Sequence, residues 1–330
     1  MDFNPSILVV LGKPLYNRTM DPVTHTLIGV GLGNAFFRKT VGPHAIPIMV
    51  IASNLPDVDA LVHLTGSPEA ILARRTFGHS VLILPFLAFL ASLILKRFWP
   101  HENISRIYAM LLLGALVHLF FDLVNSFGVV PLWPMSPWRP EWGIIFIIDL
   151  VLTGLLALPL LLSFPKRMRP WLVPLTKGAL ALVFLYTLFC GINRNLALNI
   201  LLEKGDQSLS SGFQYVFPEP LGPHRWRGVT RTGEMYKVFL IHSLRGEIEL
   251  IETVSTNVKN PMVKQVRKTP LAQKIQWFFK APVWEVNENR KGQTPSVRVY
   301  DLRFKSLIIE RPIPFVFQFS VLSNGTVGAP

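Results

Sequence analysis

Cysteine and charge are what this chain has least of. Its 330 residues include one cysteine, Cys190, which has no partner within the chain. A disulfide-stapled scaffold is therefore excluded. Charged residues make up 16%, against about 25% in ordinary soluble domains. Widespread disorder needs low hydrophobicity and high charge, and here half the residues are hydrophobic. Acids are the scarcer sign, 20 against 33 Lys and Arg, which leaves a net charge of +13. In a soluble protein that excess would suggest nucleic acid. In a greasy one it suggests topology signals and anionic lipid headgroups first. The run Pro5–Leu11 has no basic residue before it, so it does not read as a signal peptide. There is no GxGxxG, Walker A motif, paired CxxC or internal repeat.

The apolar residues are unevenly spread. Residues 1–200 carry 15 Lys/Arg and 9 Asp/Glu, and the much shorter 201–330 carries 18 and 11. The expected architecture is an α-helical polytopic membrane domain over 20–200, followed by a smaller, mainly β, soluble domain over 201–330. Residues 1–19 are expected to be an extension, with Met20 as a possible start, Asp21 as helix N-cap and Pro22 at the first helical position. Four segments read as membrane-spanning: Ser80–Leu95, Ile107–Phe121, Gly143–Phe164 and Trp171–Ile192. The second reaches the ~20 residues of a span only by running past Asp122. Two shorter runs, Thr26–Phe37 and Val41–Ala52, precede them.

Arg38 and Lys39, then Lys96, Arg97 and Arg106, then Lys166, Arg167 and Arg169 fall in alternate loops. The positive-inside rule makes those loops cytoplasmic, although Arg74, Arg75 and Arg139 fall on the other side. The second part is then extracytoplasmic. In it, Phe213–Phe217, Glu234–Ile241, Glu247–Val254, Ser296–Phe304 and Pro314–Val321 read as strands, and Leu271–Phe279 as a covering helix.

Ionisable residues in apolar segments are costly and mark sites. Here they recur in clusters: Thr24-His25-Thr26, Asn54-Leu55-Pro56-Asp57-Val58-Asp59, Arg74 to Ser80 around His79, His118-x-x-x-Asp122 with Asn125, and Asp149. Alternating the segments brings all five clusters to one membrane face. His118 and Asp122, four apart, share a helix face. Asp57 and Asp59 repel each other unless a cation or proton sits between them. Imidazoles with carboxylates suit zinc and related divalent metals.

These residues, in order, resemble the YdjM-like bacterial membrane-bound metal-dependent hydrolases. The resemblance rests on Met20-Asp21-Pro22-Val23-Thr24-His25-Thr26 with Gly29 and Gly33, on Pro56-Asp57-Val58-Asp59, and on Arg75-Thr76-Phe77-Gly78-His79-Ser80. It continues through His118-x-x-x-Asp122-x-x-Asn125-Ser126-Phe127-Gly128, Leu132-Trp133-Pro134 and Asp149, and in Val299-Tyr300-Asp301-Leu302-Arg303-Phe304. It implies a metal-assisted hydrolase of the bacterial inner membrane, distantly similar to zinc phospholipase C-type phosphodiesterases. Carried over, His25, Asp57, Asp59, His79, His118 and Asp122 become the metal set. Asp59, His79 and Arg75 are the candidate catalytic residues, Arg75 stabilising developing charge. Asn54, Asn125 and Asp149 are expected to support the ligands from behind. The family usually has Thr before the central His, and here that residue is Gly78.

Blander readings stand beside these. His118–Asp122 also fits a plain His–carboxylate bond between helices, and Asp57 a helix cap with Asp59 solvated. Arg74 reads as a loop charge and Arg75 as a ligand contact. Asp149 reads as orienting a histidine rather than as a ligand. His44, His63 and His101 have no partner pattern, and Trp133, Trp138 and Trp142 read as an interfacial belt. The expected partners are membrane lipids and a lipid or lipid-linked substrate, not nucleic acid. The expected cofactor is a divalent metal, zinc first. The alternative function is a non-enzymatic membrane protein with a structural or transport metal site.

Overall fold

The computed structural model describes residues 22–65, 67–205, 212–220, 222–287, 294–309, 312–321 and 327–328. The expected extension 1–19, the start at Met20 and the cap at Asp21 lie outside them. The two short apolar runs form one helical hairpin. Helix α1 (Pro22–Leu32) passes through a π turn (Gly33–Phe37), the short α2 (Arg38–Val41) and a 3-10 turn into α3 (Ala45–Ala52). The arms touch closely at Gly29, where a Cβ would stand 2.5 Å from the Met49 carbonyl oxygen. A side chain there would push α1 off α3.

Among the described residues three stretches are apolar and long enough to cross a membrane, Pro22–Val62, Ile104–Val124 and Lys166–Lys204, and the expected span Ser80–Leu95 is not one of them. A 3-10 segment (Leu55–Thr65) and a 3-10 turn (Phe77–His79) lead into α4 (Leu84–Phe98). The Asn103 side chain caps α5 (Ile104–Val124), which does run past Asp122. The expected span from Gly143 is corrected. Helix α6 covers only Leu150–Leu162, because the chain before it is extended along the end of α5. There Trp142 N–H donates to the Leu123 carbonyl and Ile144 N–H to that of Val124, both at 2.8 Å.

Helix α7 (Leu172–Lys204) has 33 residues, about 50 Å at 1.5 Å per residue. That exceeds the ~30 Å hydrocarbon core. Its last turns leave the apolar zone and bury Ala197, Ile200 and Leu201 against Trp226, Phe239 and Ile241. The boundary expected near residue 200 therefore lies inside a continuous helix.

The second part holds two antiparallel sheets. Strands β1 (Gln214–Pro218), β2 (Arg225–Thr232), β3 (Met235–His242) and β4 (Glu247–Ser255) pair in sequence order. So do β5 (Pro282–Asn287), β6 (Ser296–Asp301), β7 (Phe317–Val321) and β8 (Val327–Gly328). Helices α8 (Pro261–Val266) and α9 (Pro270–Phe278) pack on the second sheet. Strand β2 escapes the alternation pattern because it carries three arginines and a glycine. Strand β6 ends at Asp301, earlier than expected, because the Asp301 carboxylate accepts the Arg303 N–H and turns Leu302–Phe304 into a 3-10 helix.

Phe127, which follows α5, joins the core of the second sheet. Its ring lies 5.0 Å from Phe278 and 6.1 Å from Phe304. Arg303 is the other tie. It donates to the Phe127 and Phe278 carbonyls and pairs with Glu141. The β part is thereby fixed to the helix ends that carry the ionisable clusters.

Candidate metal centre

His118 and Asp122 sit one turn apart near the end of α5, and both are fully buried. His79 ends the 3-10 turn before α4, Asp57 and Asp59 lie in the 3-10 segment after α3, and His25 lies in the first turns of α1. Separate elements thus bring these groups to one place, as the alternation of segments requires.

The ring nitrogens decide what the place can do. His118 Nδ1 stands 2.7 Å from the Ser53 carbonyl oxygen, which only accepts, so Nδ1 carries the proton. His79 Nδ1 stands 2.9 Å from Asp59 Oδ2, which fixes that ring the same way. The Nε2 atoms are thereby the positions open to a metal, that of His79 once its second proton has left. They face each other at 3.2 Å, and Asp122 Oδ2 lies 3.0 Å from one and 3.4 Å from the other. Three lone-pair atoms thus converge. Around one ion with ~2.0–2.1 Å bonds, tetrahedral ligand atoms stand about 3.3 Å apart, close to these spacings. The chemistry of the donor set fits a divalent metal.

A second set shares one of these residues. His25 Nε2 lies 3.3 Å from Asp122 Oδ1, and its ring stacks on His118 at 3.8 Å. The buried His25 Nδ1 has no hydrogen-bond partner. The ligating atoms of His25, His118 and Asp122 lie within 4.8 Å of one another, as do those of Asp57, His79 and His118. His79 precedes α4 and lies outside the three membrane-crossing stretches. Burial disfavours its charged form, yet the Asp59 charge and the bonds to Asp122 and Asp59 prevail and raise it to about 9.

Five expected roles change, those of Asp59, Arg75, Arg74, Asp149 and Asn54. Asp59 stands behind His79 rather than beside the other ligand atoms. Its carboxylate takes the His79 Nδ1 proton contact and the Thr76 N–H (3.1 Å), and its other oxygen faces Arg74 Nε at 3.4 Å. This is the carboxylate–histidine arrangement that orients a metal ligand. Arg75, expected to reach substrate, is 2% exposed and held at φ 57°. Its Nε lies 2.5 Å from Asp122 Oδ2 and its Nη1 donates to Asn125 Oδ1 at 2.8 Å. It grips a ligand instead. Arg74 is no loop charge, being buried with Nη2 2.8 Å from Asp57 Oδ1. Asp149 orients no histidine among the described residues. It caps α6 through the Leu152 N–H and accepts the Tyr186 hydroxyl at 2.9 Å.

Asn125 Nδ2 lies 3.4 Å from Asp122 Oδ1. Asn54 instead braces the chain beside His25, donating to Thr26 Oγ1 at 3.1 Å. Gly78 has a steric reason. A Cβ there would collide with the Pro56 carbonyl, so the chain's close approach, not a hydroxyl, settles the residue. His79 takes its support from Asp59 instead. The Ser53 carbonyl and the Thr76 N–H had no signal in the sequence, because every residue type offers them. Trp133, Trp138 and Trp142 are exposed, as a belt requires.

Comparison with known proteins identifies the family. The family described as YdjM inner membrane protein matches residues 20–197, more than half of the chain, and the chain belongs to that family. It is 24% identical over 300 residues to the uncharacterized protein YfhP of Bacillus subtilis (strain 168), covering 87% of this chain and 88% of that one. No solved structure matches.

Proposed function

We propose that this member of the YdjM inner membrane protein family is a metal-dependent hydrolase. It cleaves an ester or phosphodiester of a lipid or lipid-linked substrate at the extracytoplasmic face. One or two divalent ions, zinc first, are held by His25, Asp57, His79, His118 and Asp122. One observation carries the reading: the Nε2 atoms of His79 and His118 meet each other and Asp122 with both Nδ1 positions already committed. When bound, the metal supplies a water of lowered pKa and polarises the substrate oxygen.

The chain's own groups prepare that chemistry. The Ser53 carbonyl and Asp59 hold the two imidazoles in the ligating tautomer. Arg75 and Asn125 fix the Asp122 carboxylate. Arg74 holds Asp57 toward the histidines. The β part, tied down by Arg303 and Phe127, covers the centre from the water side. A site at the ends of apolar helices favours a substrate whose scissile bond lies at headgroup depth. A translocation path would spread ionisable groups through the membrane, and these gather at one end.

The test is hydrolysis of lipid phosphodiesters and carboxylic esters by the purified full chain in lipid–detergent micelles. It is run as isolated, after chelation, and after zinc is restored. Activity should vanish on chelation, return with the metal, and be absent from His118→Ala. Hydrolysis that survives chelation, or equals wild type in His118→Ala, contradicts the proposal.

A further inference from the structure

A cavity of about 510 Å³ lies between the end of α5, the 141–144 segment and α7. Phe120 and Val124 line it from α5. At 100° per residue they project from the face opposite His118 and Asp122, so the cavity is separate from the histidine–carboxylate cluster. Its long wall is one face of α7, from Phe184 to Asn195, about 16 Å of helix. That wall is apolar for most of its length, with Phe184, Leu188 and Ile192 exposed.

Depth follows from the helix. Arg194 stands 22 residues beyond Leu172, the first residue of α7. That is about 33 Å, roughly one hydrocarbon thickness. The floor of the groove thus lies among acyl chains and its mouth at headgroup level. Glu141, Arg194 and Asn195 stand at the mouth. The Glu141 carboxylate is paired with Arg303 through Oε2, its Oε1 having no hydrogen-bond partner among the described residues. Arg194 has no ion-pair partner among the described residues, and its Nε is buried without a hydrogen-bond partner. An unmatched guanidinium at the wet end of an apolar slot calls for an oxyanion, and phosphate fits its fork.

We propose that this groove holds one acyl chain of an anionic phospholipid, with the headgroup phosphate on Arg194. The site stands independently of the hydrolase reading, since none of its residues belongs to the metal centre. A zwitterionic lipid brings its own ammonium to compete for the phosphate and binds more weakly.

Trp142 lines the groove and reports on it. The full chain is reconstituted with brominated phosphatidylglycerol or brominated phosphatidylcholine. The Trp142 signal is taken as the difference from Trp142→Phe. Half-quenching should need several-fold less phosphatidylglycerol than phosphatidylcholine. Arg194→Gln should bring the two lipids level. Gly191→Leu should remove the excess quenching by filling the slot, because a Cβ at Gly191 meets only the Ile144 side chain, at 3.8 Å. Equal quenching by both lipids in wild type, or an unchanged preference in Arg194→Gln, overturns the proposal. If Gly191→Leu does not fold, the surface change at Arg194 still decides.

Discussion

The helical part and the sheet part both bury ionisable groups, and among the described residues only the helical part gathers histidines with them. In the sheet part each buried cation meets a carboxylate. Arg227 Nη1 lies 3.1 Å from Glu219, and Arg303 pairs with Glu141 and with Asp301 at 3.3 Å. In the helical part, Arg74 and Arg75 also meet carboxylates, but the Nε2 atoms of His79 and His118 converge in addition on each other and on Asp122. A matched buried pair is complete in itself, whereas converging lone pairs are costly until a cation joins them. The surfaces differ as well. Large apolar side chains such as Phe86, Leu90 and Ile94 on α4 and Phe184 and Leu185 on α7 face outward, as lipid contact requires. The sheet part gathers Trp226, Trp284 and Phe319 inside.

This contrast can be broken by mutation. Arg303→Ala leaves Glu141 and Asp301 buried without their cation and should destabilise by about 3–5 kcal/mol. The check is thermal unfolding. Replacing both members, Arg303→Met with Glu141→Leu, should cost much less, and an equal cost would show that the pair is not the point. Asp59→Asn should weaken metal affinity about 10–100-fold by freeing the His79 ring, measured by chelator competition, while Glu219→Gln leaves it unchanged. Gly78→Thr should cost about 1–3 kcal/mol, because its Cβ collides with the Pro56 carbonyl. A melting temperature equal to wild type would refute the steric reading.

A further effect is graded with pH. The His79 pKa is raised from 6.5 to about 9 in the metal-free fold. Its proton therefore stabilises that fold fully below pH 6.5, and the contribution is lost as pH rises through 9. Metal must displace the same proton, so apparent affinity should fall about tenfold for each pH unit below 9. Stability of the metal-free protein and affinity for metal should thus run in opposite directions between pH 6.5 and 9. Parallel trends would sink the assignment of His79.

Much of the fold was legible because membrane helices and alternating strands have periods that side chains announce. The clustered residues were legible for the converse reason, since His25, His118 and Asp122 have no business in apolar segments. Roles were harder to read than places. Asp57 and Asp59 look alike in sequence, and only the direction of the His79 ring separates ligand from support. Arg74 and Arg75 differ only in what they grip. Strand β2 was hidden because Arg227 faces inward to Glu219, which breaks the polar-out pattern. Helix α6 starts late because its predecessors bond along α5, a tertiary event with no local signature.

The central claim is that the helical cluster is built around a cation. Its most direct test is the divalent metal content of the full chain, purified without chelator and dialysed, beside His79→Ala and Asp122→Ala with unchanged helical circular dichroism. Wild type should retain metal in stoichiometric amount, and both variants should lose it. Metal content equal in all three proteins, or none in wild type even after zinc loading, would contradict the account.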